Sequence, residues 1–213
     1  MGSLPHVVED CLGIIQVFSD GSIVRSDQNI KFPMKVEDDG DVVWKDCLYD
    51  EKHNLHLRLY KPRSPPAAAK LPVLYFFHGG GFCLGYRTWP NCHNCCLRLA
   101  SALQVLVVSP DYRLAPEHRL PAAMDDAMSS VRWLQDQAVL ADGADEWLRG
   151  GGVDFGRVFI TGDSSGGTLA HHLAVGLGPW IAGLGAGSCA GLRADGSVLR
   201  WHGENKVRGR RAT

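Results

Sequence analysis

No apolar run in this sequence is long enough to span a bilayer. The longest, around residues 73–77 and 105–108, fall far short of the ~20 residues a membrane helix requires. Charge of one sign is also missing. Lys plus Arg (22) nearly cancels Asp plus Glu (23), which excludes a broadly basic, phosphate-neutralising surface. The opening residues do not read as a secretory leader, because Glu9 and Asp10 precede the apolar stretch and Gln16 interrupts it. Met1-Gly2 does not complete a myristoylation pattern, since His6 stands where Ser or Thr is required. The seven cysteines lack framework spacing and read as reduced thiols of a cytoplasmic protein. Aromatic residues are few (8%), yet 45% of the 213 residues are hydrophobic, enough to bury one sizeable core in one domain or two small ones.

Strand and helix patterns alternate along the chain. The first forty residues are mixed, with turn signals at Asp20-Gly21 and at residues 37–40. Residues 42–44 and 55–60 read as strands, the second alternating Leu55, Leu57 and Leu59 with polar residues as a half-buried antiparallel strand does. Residues 61–70, with three prolines and three alanines, read as a loop. The unbroken apolar runs at 71–77 and 105–109, with the shorter run at 157–161, read as strands of one sheet covered on both faces. Between and after them, residues 88–103, 122–140 and 164–175 have helical spacing. Cys92, Cys95, Cys96, Leu99 and Leu103 are expected on the buried face of the first. This order predicts an α/β fold with a mainly parallel sheet and flanking helices. From about Pro179 the glycines at 183, 185, 187, 191 and 196 break any period, and no strand or helix is legible. Arg193, Arg200, Arg208, Arg210 and Arg211 make this end basic, but too sparsely for nucleic-acid binding. A weakly ordered tail is expected there.

Gly162-Asp163-Ser164-Ser165-Gly166 satisfies G-x-S-x-G between a strand and a helix. A sharp strand-to-helix turn exposes the Ser164 hydroxyl, and small neighbours two residues either side relieve crowding. The helix start behind Ser164 favours developing negative charge. His78-Gly79-Gly80-Gly81-Phe82 follows the first buried strand directly. Its glycines let backbone N–H groups approach a substrate oxygen, as an oxyanion hole requires. A phosphate loop is disfavoured, because neither G-x-G-x-x-G nor G-x-x-x-x-G-K-[ST] occurs.

Those two motifs, with Asp111-Tyr112-Arg113-Leu114-Ala115-Pro116-Glu117-His118 between them and Gly167 extending the second, resemble the hormone-sensitive-lipase-like branch of the α/β-hydrolases. In detail they resemble the plant carboxylesterases of that branch, the group that also contains the gibberellin receptors. The resemblance covers roughly residues 7–177. It implies hydrolysis of a small-molecule carboxylic ester through a serine acyl-enzyme, with Ser164 as nucleophile. The oxyanion donors would be the N–H groups of Gly80, Gly81 and Ser165, His78 and Gly79 would shape the oxyanion loop, and residues 1–40 would help form a lid. It implies no cofactor, no metal, no nucleic-acid partner and no membrane. Members of this branch carry the triad acid, then the histidine, on loops after further strands. Here His171 and His172 lie along the helix behind the nucleophile, and Asp195 and His202 are seven apart in the glycine-arginine tail, so neither pair is expected to serve Ser164. Residues 1–178 are therefore expected to be the N-terminal part of a C-terminally truncated hydrolase domain, and 179–213 a tail foreign to the family, with impaired activity or a fold lacking part of its cover. The alternative is a hormone-receptor-like binding protein on the same scaffold. Receptors of that group typically carry serine at the position of Gly81, which favours the esterase.

Two other clusters carry competing readings. Cys92, His93, Cys95 and Cys96 have a C-x-x-C spacing suited to zinc, but crowd one helical stretch without a second ligand pair and are read as buried thiols. Asp111, Arg113 and Glu117 are read as a turn-stabilising ion-pair cluster in preference to a substrate site, with Asp125 and Asp126 facing solvent or joining it.

Overall fold

The computed structural model describes residues 4–26, 35–38, 40–65, 70–140, 143–149 and 151–177, with the backbone of 193–195 and 198–200. Its main sheet runs β4 (Val42–Asp50), β5 (Leu55–Pro62), β7 (Leu106–Pro110), β6 (Leu71–Phe77), β8 (Val153–Gly162), β10 (Val198–Arg200) and β9 (Arg193–Asp195). Parallel pairing is confined to the centre, where β6 lies between β7 and β8. The flanking pairs are antiparallel, so the sheet is mixed about a parallel core of three strands.

Side chains on successive strand residues point to opposite faces, and the core divides accordingly. Val73, Tyr75, Phe77, Leu106 and Val108 meet Ala127, Val131 and Leu134 of α2 (Ala122–Val139) and Leu169 and Leu173 of α3 (Ser165–Leu177). Leu74 and Val107 meet Cys92, Cys96, Leu97 and Ala100 of α1 (Pro90–Leu103) on the other face. Helices on both faces explain why the central strands read as unbroken apolar runs. No helix among the described residues is long and apolar enough to cross a membrane.

Four features depart from the sequence expectation. The buried stripe of α1 is Cys92, His93, Cys96, Leu97 and Ala100, while Leu103 is exposed. The helix is rotated because polar groups are satisfied inside: His93 Nδ1 meets the Tyr60 hydroxyl at 2.9 Å, and Asn94 donates to Lys35 O and accepts from Glu37 N. β5 is covered on both faces, since Arg58 and Tyr60 turn under α1. β8 begins four residues early, with a bulge opposite Pro72 and Val73 that interrupts its pattern. The N-terminal region forms a separate three-stranded sheet, β1 (Val7–Cys11), β2 (Ile15–Phe18) and β3 (Ile23–Arg25), with Gly21 in the hairpin turn. β1 is exposed along its whole length, so burial wrote no alternation into it.

The tail corrects a further expectation. Residues 198–200 pair antiparallel with Phe159–Thr161, and 193–195 pair with them in turn. An edge strand offers main-chain donors and acceptors to any extended segment, and three residues are too few to show a period. The rest of the expectation for 179–213, including His202 and the Asp195 side chain, lies outside the described residues.

Candidate active site

The turn around Ser164 is a set of contacts too close for side chains. β8 ends at Gly162 and α3 begins at Ser165, leaving Ser164 between them at φ +49° in the left-handed region. A Cβ on Gly162 would lie 2.3 Å from the Gly166 carbonyl carbon, and one on Gly166 would lie 2.1 Å from Phe77 O. The two glycines of G-x-S-x-G are thus demanded by the approach of α3 to the ends of β8 and β6. Asp163 N donates to Phe77 O at 3.1 Å, Gly166 N to Asp163 O at 2.7 Å and Thr168 N to Ser164 O at 3.2 Å. Ser164 is left exposed while Ser165 is buried.

The glycine run after β6 comes to the same turn. A Cβ on Gly79 would stand 2.9 Å from Asp163 O and 3.3 Å from Ser164 Cβ. Gly80, at φ +122°, accepts from Cys83 N (3.0 Å) and Leu84 N (2.9 Å), which closes the loop, and Gly81 at φ +62° faces open space. The N–H groups of Gly80, Gly81 and Ser165 make no loop or capping bond to backbone among the described residues. The His78 imidazole is 4% exposed, and its Nδ1 lies 2.8 Å from Gly79 O. Burial lowers its pKa, and among the described residues its Nε2 is enclosed without a partner, as is Ser165 Oγ.

The segment from Asp111 to His118 backs this loop along its length. The Tyr112 hydroxyl donates to His78 O at 2.7 Å, and its ring stacks on the imidazole at 4.3 Å. Ala115 N donates to Phe82 O at 2.8 Å, and Asp111 Oδ1 accepts from Arg87 N at 2.7 Å. The charged residues of the motif are engaged in ion pairs: Asp111 with Arg87, Arg113 with Asp126 at 2.7 Å, and Glu117 with Arg25 at 2.6 Å. The ion-pair reading holds, with three separate partners in place of one cluster. Asp126 is buried in its pair, and Asp125 faces solvent.

A match to a family model then joins these elements. The model, described as an alpha/beta hydrolase fold, matches residues 74–180, from the middle of β6 through α3. The chain belongs to the α/β-hydrolase family. Among this chain's relatives is the Arabidopsis thaliana protein "Probable carboxylesterase 8", 40% identical over 164 residues, which are 76% of this chain and 48% of that protein. An esterase from Pyrobaculum calidifontis matches with TM-score 0.52 and 36% identity, over 63% of this chain and 39% of that one. A thermostable carboxylesterase cloned from a metagenomic library matches with TM-score 0.55 and 33% identity, over 67% and 44%. The chain spans about half the length of the curated relatives it matches.

The remaining sequence candidates fall away from this site. His171 and His172 are exposed on α3. Cys92, His93, Cys95 and Cys96 do not converge as ligands; burial pushes the Cys95 and Cys96 thiols up, as it does for thiols held as small hydrophobes. The metal-capable group among the described residues is Asp50, His53 and Asp126, with ligand atoms within 4.8 Å of one another. Asp126 is committed to Arg113 and Asp50 to His53. Sequence reasoning missed the backing function of the Asp111–His118 segment, whose bonds to the loop run largely through main-chain atoms.

Proposed function

We propose that this chain carries the nucleophile and oxyanion parts of a carboxylic-ester hydrolase that works through an acyl-enzyme. The observation that supports it most is the packing of Gly79 against Ser164, which sets the H-G-G-G loop beside the nucleophile. In the proposed reaction Ser164 Oγ attacks the ester carbonyl carbon and gives up its proton to a base. The N–H groups of Gly80, Gly81 and Ser165 hold the oxyanion of the tetrahedral intermediate, and the alcohol leaves after taking a proton. Water then attacks the acyl-serine by the same route in reverse. The reading assigns no described residue as the base. Losing a triad member costs on the order of 10⁴–10⁶ in rate, while oxyanion donors and binding alone retain roughly 10³ over water.

The test is hydrolysis of p-nitrophenyl acetate and butyrate, with a fluorophosphonate probe of Ser164. The 213-residue chain is expected to hydrolyse these esters feebly, to label slowly, and to lose less than about ten-fold in turnover on Ser164→Ala. Appending the late strands of a full-length relative, with their acid and histidine, is expected to restore Ser164-dependent turnover. Rapid Ser164-dependent hydrolysis by the unextended chain would overturn the impaired reading. A folded extended chain with no Ser164-dependent turnover would overturn the esterase. That last result, with a small ligand still bound, is what a receptor-like binding protein requires. What leaves room for such a protein is that His171 and His172, the described histidines that follow Ser164, are exposed on α3 and are not assigned to it.

A further inference from the structure

The Arg25 side chain links the N-terminal sheet to the glycine loop. Arg25, the last residue of β3, directs its guanidinium at three acceptors remote in sequence. Nη1 donates to Cys83 O at 2.6 Å, Nη2 to Ala115 O at 2.5 Å, and Nε and Nη2 each to one oxygen of Glu117 at 2.6 Å. Cys83 belongs to the turn that Gly80 O closes, and Ala115 is the residue whose N–H holds Phe82 O. One planar group thus bridges the oxyanion loop, the segment that backs it and the N-terminal sheet.

We propose that Arg25 is a positioning residue for the oxyanion hole, making the conformation of the Gly80 and Gly81 donors depend on the docking of β1–β3. This rests on the esterase reading for its catalytic consequence, but not for its geometry. Glycine at 80 and 81 leaves the donors without side chains to fix them, so their direction is set by what holds the neighbouring carbonyls. Phe82 O is held from Ala115 N, and Cys83 O from Arg25. Releasing Cys83 O removes the restraint on the outer side of the turn. The fork geometry matters, since an ammonium at this place is a point donor and cannot serve two carbonyls and both carboxylate oxygens in one plane. Glu117 fixes the plane of the guanidinium: its own carboxyl is held below the ordinary range chiefly by the hydrogen bond from Arg25, as expected of a committed pair.

The experiment compares the parent chain with Arg25→Ala, Arg25→Lys and Glu117→Gln by hydrogen exchange and by the rate of fluorophosphonate labelling at Ser164. In Arg25→Ala, the Cys83 and Leu84 amides that close the loop on Gly80 O are expected to exchange at least five-fold faster while those of β6 and β7 stay within two-fold of the parent. Labelling is expected to slow about ten-fold, because the phosphonyl oxygen relies on the same donors. Arg25→Lys is expected to recover less than half of each effect, and Glu117→Gln, which keeps an acceptor for the guanidinium, most of it. Unchanged exchange in the loop overturns the proposal, as does full rescue by lysine or a uniform rise across β6 and β7, which would mark a merely structural role. If the parent itself is not labelled at Ser164, the esterase reading is decided by the extended chain, and the exchange data still decide whether Arg25 orders the loop.

Discussion

At the scale of single residues, the site is built from places where a side chain does not fit and one where it strains. Gly166 and Gly81 separate these two roles of glycine. A methyl group on Gly166 meets Phe77 O at 2.1 Å, with backbone on both sides that cannot move without opening the turn. Gly166→Ala is therefore expected to cost roughly 3 kcal/mol, read as a lower urea midpoint. A methyl group on Gly81 meets nothing, and the substitution carries only the left-handed backbone penalty of about 1 kcal/mol. Its urea midpoint should fall about a third as far as that of Gly166→Ala; an equal loss in both variants would refute the steric account of the motif. Ser164 accepts the same backbone strain, and the strand-to-helix turn around it keeps its hydroxyl in solvent.

At the scale of elements, the decisive unit is the pair formed by the glycine loop at 78–82 and the Asp111–His118 segment. The Tyr112 hydroxyl is the buried link between them, and removing it leaves His78 O without its donor. Tyr112→Phe is expected to destabilise the fold by about 1–2 kcal/mol in urea unfolding and to speed hydrogen exchange at the Cys83 and Leu84 amides that close the loop. Stability unchanged within error would show that the stack on the imidazole alone holds the loop. The motifs at 78–82 and 162–166 were legible because steric needs for glycine are local and leave fixed spacing. The backing segment was legible as a motif but not in its role, because its acceptors are carbonyls more than thirty residues away. The strands at 71–77 and 106–110 were legible from continuous apolar runs. β1–β3 were not, since β1 buries no side chain, and the rotation of α1 was hidden because His93 and Asn94 earn burial through hydrogen bonds that composition does not reveal.

At the scale of the whole molecule, a chain of charges joins the edge of the sheet to the site. Asp46 on β4 is gripped by Arg58 of β5 (2.7 Å) and by Arg87 (3.1 Å), and Arg87 passes on to Asp111 beyond β7. Burial pushes the Asp46 carboxyl up, but the two guanidinium groups outweigh it and hold it at about 2. A carboxyl depressed below its unfolded value stabilises the fold fully above about pH 4 and loses that contribution as pH falls towards 2. With a third of the side chain open to solvent, the contribution is about 1–2 kcal/mol. Unfolding free energies measured from pH 5 to 2 should fall less steeply in Asp46→Asn than in the parent, and parallel curves would contradict the assignment. The strand order β4-β5-β7-β6-β8 has a different consequence, for synthesis on the ribosome. The β4–β5 hairpin can close as soon as it emerges. β6, the most apolar strand, emerges before both of its neighbours and has no sheet partner until residues 106–110 and then 153–162 have been made. At ordinary elongation rates that interval is on the order of ten seconds, during which the nascent chain exposes a segment suited to capture by a chaperone.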